Sequence, residues 1–230
     1  MRTNGQAKLA PTLLCADPLQ LGAAIETFDG LDIAWHHVDV MDGHFVPNLA
    51  FGMDALRAIC RAAKKPVCVH LMVEEPASYV QRLADQGASC FVFHLEAESA
   101  PFRLIRAVHD AGMQAGIALS PATDVEALRP LLSLLDMALI MAVEPGFSGQ
   151  SFLPHTPEKI SALRRMAKAL RPGLCIEVDG GLDDSNGHAC QQCGADVLVG
   201  GVFTLFRQGA TLEENFARST RALKGGAEWS

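Results

Sequence analysis

Residues 33–48 read IAWHHVDVMDGHFVPN, in which a strand-like run over 33–40 (IAWHHVDV) carries two histidines and an aspartate and then breaks into an Asp-Gly turn. His37 and Asp39 are two residues apart, so a β-strand directs both side chains to the same face of its sheet. An imidazole and a carboxylate on a buried face lose hydration, at a cost of several kcal/mol, unless something binds them. The stretch therefore predicts a strand whose interior face carries a ligand site.

Further short apolar or β-branched runs recur along the chain, separated by segments of helical spacing. These runs are LAPTLL (9–14), PVCVHLMV (66–73), CFVFHLE (90–96), QAGIALS (114–120), MALIMAV (137–143), LCIEVDG (174–180) and DVLVGGV (196–202). The helical segments include 76–87, 124–135 and 157–170, and several begin with Ser, Thr, Asp or Pro and end near Gly. This alternation predicts a parallel sheet, because parallel neighbours need crossover connections.

Eight strand–helix units favour an α/β fold that closes into a single (β/α)8 TIM barrel. An open doubly wound sheet is the alternative, but its usual GxGxxG signature after the first strand is replaced by LCADPLQLG at 14–22. No linker or change of composition divides the chain. We therefore expect one catalytic barrel domain over 9–222, between flexible ends at 1–8 and 223–230.

Bulk composition argues against several classes of protein. The 230 residues carry a formal charge of −7, which disfavours a surface for nucleic acid or anionic membrane. No apolar run approaches the roughly 20 residues of a membrane span. The first residues, MRTNGQAKLAP, lack the apolar core of a secretory signal. We expect a cytoplasmic protein that binds neither nucleic acid nor membranes.

The seven cysteines are scattered through apolar segments, which predicts reduced thiols. Cys190 and Cys193, in CQQC, have the spacing of a metal or redox pair, but a zinc ribbon needs a second pair and the sequence has none. The same spacing arises when one helix face carries two small apolar residues. Packing is the favoured interpretation, and a functional pair is the alternative.

Histidines and carboxylates fall near the carboxyl ends of the predicted strands, where a barrel gathers its functional loops. Two histidines and two aspartates on three strands could converge on one divalent cation, namely His37, Asp39, His70 and Asp179. Imidazole and carboxylate ligands suit Zn²⁺, Fe²⁺, Mn²⁺ or Co²⁺ better than Ca²⁺ or Mg²⁺. On spacing alone, the alternative is that each buried histidine is simply hydrogen-bonded within the fold.

Glycines mark the ends of the later strands. Gly146 and Gly149 lie in EPGFSGQSF, DGG occupies 179–181, and GG occupies 200–201. Backbone amides without side chains can cradle a phosphate, aided by a following helix N-terminus. The alternative is that the glycines only satisfy tight turns with positive φ. Because all three sets fall on one rim of the predicted barrel, phosphate binding is favoured.

Four longer motifs resemble the signatures of the ribulose-phosphate 3-epimerase family. They are HVDVMDGHFVPNLAFG (37–52), VHLMVEEP (69–76), VEPGFSGQSF (143–152) and EVDGGL (177–182), and the similarity covers about residues 9–222. That family is a (β/α)8 barrel that interconverts ribulose 5-phosphate and xylulose 5-phosphate at one divalent metal. The resemblance implies an isomerase of the pentose phosphate pathway that takes a small ketose phosphate and forms a homo-oligomer.

The resemblance also implies roles for individual residues. Asp39 and Asp179 would be the acid/base pair, and together with His37 and His70 they would bind one Zn²⁺, Fe²⁺, Mn²⁺ or Co²⁺ per subunit. Two carboxylates on opposite sides of an enediolate suit inversion at C3, because one removes a proton while the other returns one. The implied substrate contacts are Thr12, Met41, His70, Met72, Met141, Gly146, Phe147, Ser148, Gly149, Gly180, Gly181, Gly201 and Val202.

Three positions depart from the family's pattern. Thr12 stands where the family usually has a substrate-binding Ser, Ser148 replaces a Gly, and Val202 replaces a Ser that contacts phosphate in many members. A lost hydrogen bond to a charged partner costs about 1–3 kcal/mol. The alternatives are therefore a 3-epimerase for another ketose phosphate, such as D-allulose 6-phosphate, and a noncatalytic barrel that binds sugar phosphates.

Five other polar residues have predicted supporting roles. Glu177 should face the barrel interior, where it either orients a metal ligand or is a satisfied buried carboxyl. His94 and Glu96 are expected at the rim or behind the ligands, and not as ligands themselves. His36 should point outward toward a helix, and His44 should lie in the turn after the second strand.

Overall fold

The computed structural model describes residues 6–225 of the chain. The strands are β1 (Lys8–Pro11), β2 (His36–Asp42), β3 (Leu49–Ala50), β4 (Val67–Met72), β5 (Cys90–His94), β6 (Gln114–Leu119), β7 (Met137–Met141), β8 (Cys175–Asp179) and β9 (Val197–Gly200). The α-helices are α1 (Leu21–Asp29), α2 (Met53–Ala62), α3 (Val80–Gln86), α4 (Pro101–Asp110), α5 (Thr156–Leu170), α6 (Asp184–Cys193) and α7 (Leu212–Leu223). Each predicted strand has its counterpart, and the short β3 is additional.

The strands form one sheet in the order β1-β9-β8-β7-β6-β5-β4-β2-β3, and all pairs are parallel except β2 with β3. The two ends of the parallel sheet approach each other, since Thr12 and His37 form a parallel bridge beside β1 and β2. The backbone N–H of Ala34 also donates to the carbonyl of Leu9 at 2.8 Å. The sheet therefore curls into a barrel, which confirms the predicted TIM-barrel fold.

The main core lies between the barrel and its surrounding helices. Phe28 on α1, Leu56 on α2 and Leu83 on α3 are fully buried, as is Phe91 on β5. Burying side chains of this size stabilises the fold by about 1.5–3 kcal/mol each. A second cluster fills the interior of the barrel with residues that include Trp35. All seven cysteines are free thiols.

The segment 124–135 differs from its predicted helical form. It contains two short 3₁₀ turns, Val125–Leu128 and Leu132–Leu134, and no α-helix between β6 and β7. Pro130 lies between these turns. Proline lacks an N–H group and its ring clashes with the carbonyl four residues earlier, so a continuous α-helix is excluded there. The prediction of an extended helix in this segment was wrong.

Strand β2 continues to Asp42, beyond the predicted end of this strand at Val40, because β3 pairs with its last residues. The Asp42 carboxylate accepts the backbone N–H groups of His44 (2.8 Å) and Phe45 (2.9 Å), which closes the Asp-Gly turn. It also accepts the backbone N–H of Glu74 at 2.8 Å. Asp42 thus ties the loop after β2 to the loop after β4, and both loops rim the same end of the barrel.

The predicted flexible ends are only partly described. The first strand begins at Lys8 and the last helix ends at Leu223. Residues 1–5 and 226–230, which belong to those predicted ends, lie outside the described residues. Between residues 6 and 225, no helix combines the length and the apolar character needed to cross a membrane.

Candidate metal centre and active site

Four side chains converge inside the carboxyl end of the barrel. His37 and Asp39 come from β2, His70 comes from β4, and Asp179 is the last residue of β8. Asp39 and His70 are directly paired in the register of β2 and β4, which places them in one interior layer. One ligand atom from each of the four lies within 4.8 Å of all the others. The set predicted from the sequence is therefore assembled at one point.

Each imidazole presents one nitrogen to both aspartates. His37 Nε2 lies 3.2 Å from Asp39 Oδ1 and 3.7 Å from Asp179 Oδ2. His70 Nδ1 lies 3.1 Å from Asp39 Oδ1 and 3.8 Å from Asp179 Oδ2. Two imidazole and two carboxylate donors at this separation fit a divalent ion of the zinc, iron, manganese or cobalt type. The cluster could therefore hold one metal ion.

Burial and neighbouring charge strongly perturb these groups. Burial raises the pKa of Asp179 to about 7, against the opposing attraction of His37 and with added repulsion from the Asp39 and Glu177 carboxylates. Burial would also raise the pKa of Asp39, but the charge and hydrogen bonds of His37 and His70 lower it well below its usual range. Burial lowers the pKa of His70 to about 4. The protein therefore holds two closely spaced carboxyl groups in a buried position. A bound cation would offset their mutual repulsion and their lost hydration.

A buried carboxylate supports His37 from behind. His37 Nδ1 lies 3.2 Å from Glu177 Oε1, and the indole N–H of Trp35 donates to the same oxygen at 2.9 Å. Glu177 is fully buried, and its Oε2 has no hydrogen-bond partner among the described residues. Glu177 therefore faces the barrel interior as expected, and it contacts the nitrogen of His37 opposite the one that faces the aspartates.

His70 is supported through a second histidine. Its Nε2 lies 3.0 Å from Nε2 of His94, and the two rings stack with centroids 5.1 Å apart. His94 Nδ1 lies 3.3 Å from Glu96 Oε2. Glu96 Oε1 accepts the backbone N–H of Ser120 at 2.9 Å and the hydroxyl of Thr123. His94 and Glu96 thus lie behind the ligands, as expected.

An open cleft above the cluster encloses about 550 Å³ when its mouth is included. Asp39 and Asp179 line it, whereas His37 and His70 are fully buried and do not. The cleft is also lined by every other predicted substrate contact: Thr12, Met41, Met72, Met141, Gly146, Phe147, Ser148, Gly149, Gly180, Gly181, Gly201 and Val202. The substrate contacts predicted from the sequence therefore line one cleft, except His70, which is fully buried and does not line it.

Comparison with known proteins agrees with this geometry. The model of the ribulose-phosphate 3 epimerase family matches residues 8–205. The chain belongs to this family. A ribulose-phosphate 3-epimerase from Treponema pallidum is 43% identical over 193 residues, which cover 84% of this chain and 88% of that protein. The homologue from Schizosaccharomyces pombe is 42% identical over 206 residues, covering 88% and 89% of the two chains.

Other comparisons support the same family and fold. A rice (Oryza sativa) protein named as the cytoplasmic isoform of ribulose-phosphate 3-epimerase is 40% identical over 205 residues, covering 87% of this chain and 88% of its own. Among solved structures, a mutant tryptophan synthase alpha-subunit from Pyrococcus furiosus superposes with a TM-score of 0.69 at 13% identity, covering 98% of this chain and all of that one. At that identity the structural likeness establishes the barrel fold alone.

Within this epimerase-family site, the three unusual positions meet. The hydroxyl of Thr12 donates to Asp39 Oδ2 at 2.6 Å. The Cys15 thiol contacts the side chain of Ser148 and the backbone of Val202, and burial raises the pKa of this thiol to about 11. The departures from the family pattern are thus clustered in one wall of the cleft, on the side reached by the loop after β1.

Sequence reasoning missed some residues that line the cleft: Leu14, Cys15, Val143, Pro145, Leu182, Val199 and Phe203. Pro145, Leu182 and Phe203 are next to a predicted contact in the chain, and the other four lie two or three residues from one. The hydrogen bond between Thr12 and Asp39 had no such signal, because it joins two strands through a particular side-chain rotamer. The family resemblance pointed to Thr12 only as a substrate contact.

Two glycines in the cleft wall are required by space as well as by backbone conformation. Gly180 has φ +113°, and an added Cβ would lie 2.4 Å from a methyl group of Val143. Gly181 has φ +61°, and an added Cβ would lie 2.6 Å from the backbone nitrogen of Phe152. A side chain at either position would be strained and would clash. The backbone after β8 therefore lies bare at the edge of the cleft.

Proposed function

We propose that the protein interconverts D-ribulose 5-phosphate and D-xylulose 5-phosphate by proton transfer at C3. The supporting observation is the pairing of Asp39 and Asp179, two carboxylates that line one cleft and share two buried imidazoles. Membership of the ribulose-phosphate 3-epimerase family supports the choice of reaction. The residues suit it chemically, since inversion needs one group that removes a proton and another that returns one.

In the proposed mechanism, Asp39 removes the C3 proton of one epimer while Asp179, in its acid form, delivers a proton to the opposite face. The roles exchange in the reverse direction. The two groups originate from β2 and β8, which are not neighbours in the sheet, and both line the cleft that would hold the substrate. A single carboxyl returning its own proton would restore the original configuration, which is why both aspartates are required.

A divalent ion fits the same residues. His37, Asp39, His70 and Asp179 would hold one Zn²⁺, Fe²⁺, Mn²⁺ or Co²⁺ per subunit, and their donor chemistry and 4.8 Å clustering support this assignment. When bound, the ion supplies positive charge that stabilises the negative charge formed as the carbon acid ionises. Met41, Met72 and Met141 are buried around the aspartates, and their thioethers would exclude water without competing for protons.

We place the substrate phosphate at the glycine-rich side of the cleft. Its binding groups would be the backbone amides of Gly146–Gly149, Gly180, Gly181 and the Gly201–Val202 step. The loop after β7 is already held in shape, because the Asn48 amide donates to the carbonyl of Gly146 at 2.8 Å. Val202 offers no hydroxyl, so the backbone would have to supply the contact made by serine in many relatives.

Deuterium exchange tests the proposal directly. The protein, loaded with a divalent ion, is incubated in D₂O with D-ribulose 5-phosphate, and deuterium at C3 is followed by NMR. We expect exchange and formation of xylulose 5-phosphate, both abolished in Asp39→Asn and in Asp179→Asn with the fold intact by circular dichroism. Near-normal rates in either variant would exclude the acid/base assignment.

Substrate choice requires a second arm, because Val202 removes a side-chain donor from the phosphate end. D-allulose 6-phosphate is tested in parallel, and faster exchange with it would favour an epimerase of that specificity. Exchange with neither sugar would support the noncatalytic sugar-phosphate-binding barrel.

The remaining predictions concern the setting of the reaction. We infer that the catalytic domain spans 9–222, and that the protein acts in the cytoplasm as a homo-oligomer without binding nucleic acid. Likeness to the family supports these inferences, including a rice relative named as a cytoplasmic isoform. Light scattering of the purified chain measures the oligomeric state.

A further inference from the structure

We propose that His94 and Glu96 are positioning residues that hold His70 in the tautomer whose Nδ1 is free to bind a metal ion. The inference rests on the metal site of the proposed function and goes beyond it, because neither residue is a member of the four-ligand cluster or lines the cleft. It concerns where the ring proton of His70 resides once Nδ1 binds an ion, because Asp39 Oδ1, 3.1 Å from Nδ1, favours a proton on that nitrogen when no ion is bound.

The first step is the contact between the two rings. Nε2 of His70 and Nε2 of His94 are 3.0 Å apart, and both side chains are fully buried. Each neutral imidazole carries a single proton, on one of its two nitrogens. Two N–H groups facing each other would repel, and so would two lone pairs. One ring must therefore donate and the other must accept, which couples the tautomers of the two histidines.

The second step is the direction of that hydrogen bond, which Glu96 decides. Its Oε1 already accepts the backbone N–H of Ser120 and the hydroxyl of Thr123, and its Oε2 lies 3.3 Å from Nδ1 of His94. Burial would raise the pKa of Glu96, but it is lowered to about 2, and the Thr123 hydroxyl and the Ser120 N–H contribute to this independently of His94, so the group is a carboxylate that can only accept. The proton of His94 is thereby placed on Nδ1.

The third step carries this choice to the metal ligand. With its proton on Nδ1, His94 offers a lone pair at Nε2 and accepts the Nε2–H of His70. His70 then keeps a lone pair on Nδ1, the nitrogen that faces Asp39 and Asp179. The opposite tautomer of His70 would require Nε2–H on His94, and the bare Nδ1 of that ring would face the Glu96 carboxylate. Repulsion at that point disfavours the tautomer that cannot bind a cation through Nδ1.

The relay is fixed in place by its surroundings. The ring of Phe45 packs against His94 with centroids 4.8 Å apart. Lys159 on α5 donates to the carbonyls of Ser120 (2.7 Å) and Pro121 (3.2 Å), which holds the segment that supplies the partners of Glu96. These contacts fix the positions of the groups that lie behind His70.

Three variants of the full chain test the inference by metal affinity. In His94→Gln the amide oxygen can still accept from Nε2–H of His70, whereas in His94→Leu nothing can. His36→Gln is the matched control, because His36 is equally buried but bonds Asp29 on the outside of the barrel at 2.9 Å. Metal-free protein is titrated with Co²⁺ against a chromophoric chelator, and the visible spectrum of the bound Co²⁺ is recorded.

We expect His94→Leu to weaken Co²⁺ binding about 10- to 100-fold, the usual effect of losing a group that orients a metal-bound histidine. His94→Gln should recover most of that loss, and His36→Gln should bind as the wild type does. Wild-type affinity in His94→Leu, or no recovery in His94→Gln, would overturn the inference. Thermal melting of the metal-free variants identifies any that fail to fold. If His94→Leu does not fold, the Co²⁺ affinity of His94→Gln is compared with that of the wild type, and a large loss overturns the inference.

The same experiment separates this inference from the proposed function. A wild-type protein that binds Co²⁺ with the expected variant pattern but exchanges no deuterium at C3 of either sugar supports the relay and contradicts the epimerase assignment. A wild-type protein that does not bind Co²⁺ overturns the relay. Exchange of C3 deuterium by a protein with unaltered affinity in His94→Leu would leave the function in place without the relay.

Discussion

The two histidines of the candidate metal centre both face the barrel interior but are supported in different ways. His37 presents Nε2 to the aspartates and is one hydrogen bond from Glu177, a carboxylate buried in β8. His70 presents Nδ1 and reaches its carboxylate, Glu96, only through a second ring. Glu177 is wholly enclosed, whereas the Glu96 side chain is 26% exposed. One ligand is therefore supported by direct charge, and the other by a relay of tautomers.

The largest effect expected is the loss of either ligand. His37→Leu and His70→Leu should each reduce metal affinity by more than the roughly 10- to 100-fold typical of residues behind a ligand, and should abolish metal-dependent turnover. Both variants should lose a similar amount of metal affinity, because each removes one of the four proposed ligands directly. The two histidines differ only in the groups that support them. Calorimetric titration with Zn²⁺ measures the affinity. A retained micromolar site in only one variant would show that the four groups do not share one ion.

The supports themselves should differ in strength. Glu177→Gln removes a charge in direct contact with His37, so its loss of Co²⁺ affinity should lie near the upper end of about 10- to 100-fold. Glu96→Gln acts through an intervening ring and should lie near or below the lower end. Competition titrations on both variants provide the comparison, with Glu126→Gln, an exposed carboxylate that pairs with Arg129, as the control. Equal losses would contradict the distinction between direct charge and relay.

The smallest effect is expected where a buried histidine has no link to the metal. His36→Gln should lower the free energy of unfolding by about 1 kcal/mol, through a weakened hydrogen bond to Asp29. Asp29 also accepts the backbone N–H groups of Lys64 and Lys65, so the neighbouring loop stays attached. Urea unfolding of the metal-free protein measures the change. A loss of several kcal/mol would contradict this expectation, because it would mean that the contact between His36 and Asp29 contributes much more to stability than one hydrogen bond.

Much of the fold could be predicted because it depends on local patterns. Eight β-branched runs at roughly regular spacing identified the barrel, and alternation with a period of two placed His37 and Asp39 on one interior face. The prediction of a helix at 124–135 followed the apolar spacing of this segment and gave no weight to Pro130. The absence of an α-helix at 124–135 shows that a proline, through its missing N–H group and its ring clash, prevents a helix that the hydrophobic pattern favours.

The site was predictable as a set of residues but not as a set of contacts. The carboxyl ends of the predicted strands indicated which side chains lie together at one end of the barrel. The family motifs then implied the role of each. The hydrogen bond from Thr12 to Asp39 and the ring contact between His70 and His94 depend on side-chain rotamers and on the way the sheet curls. No spacing within the chain encodes those distances. Such contacts emerge only when distant strands are packed together.

Trp35 gives the candidate metal centre an intrinsic optical reporter. Its indole N–H donates to Glu177, which in turn holds His37, so two hydrogen bonds separate the fluorophore from a ligand. The sequence contains one other tryptophan, Trp229, which lies outside the described residues. Replacing Trp229 with phenylalanine would leave Trp35 as the single tryptophan, buried inside the barrel. Ion capture and release could then be followed in real time by fluorescence, without a label and without substrate.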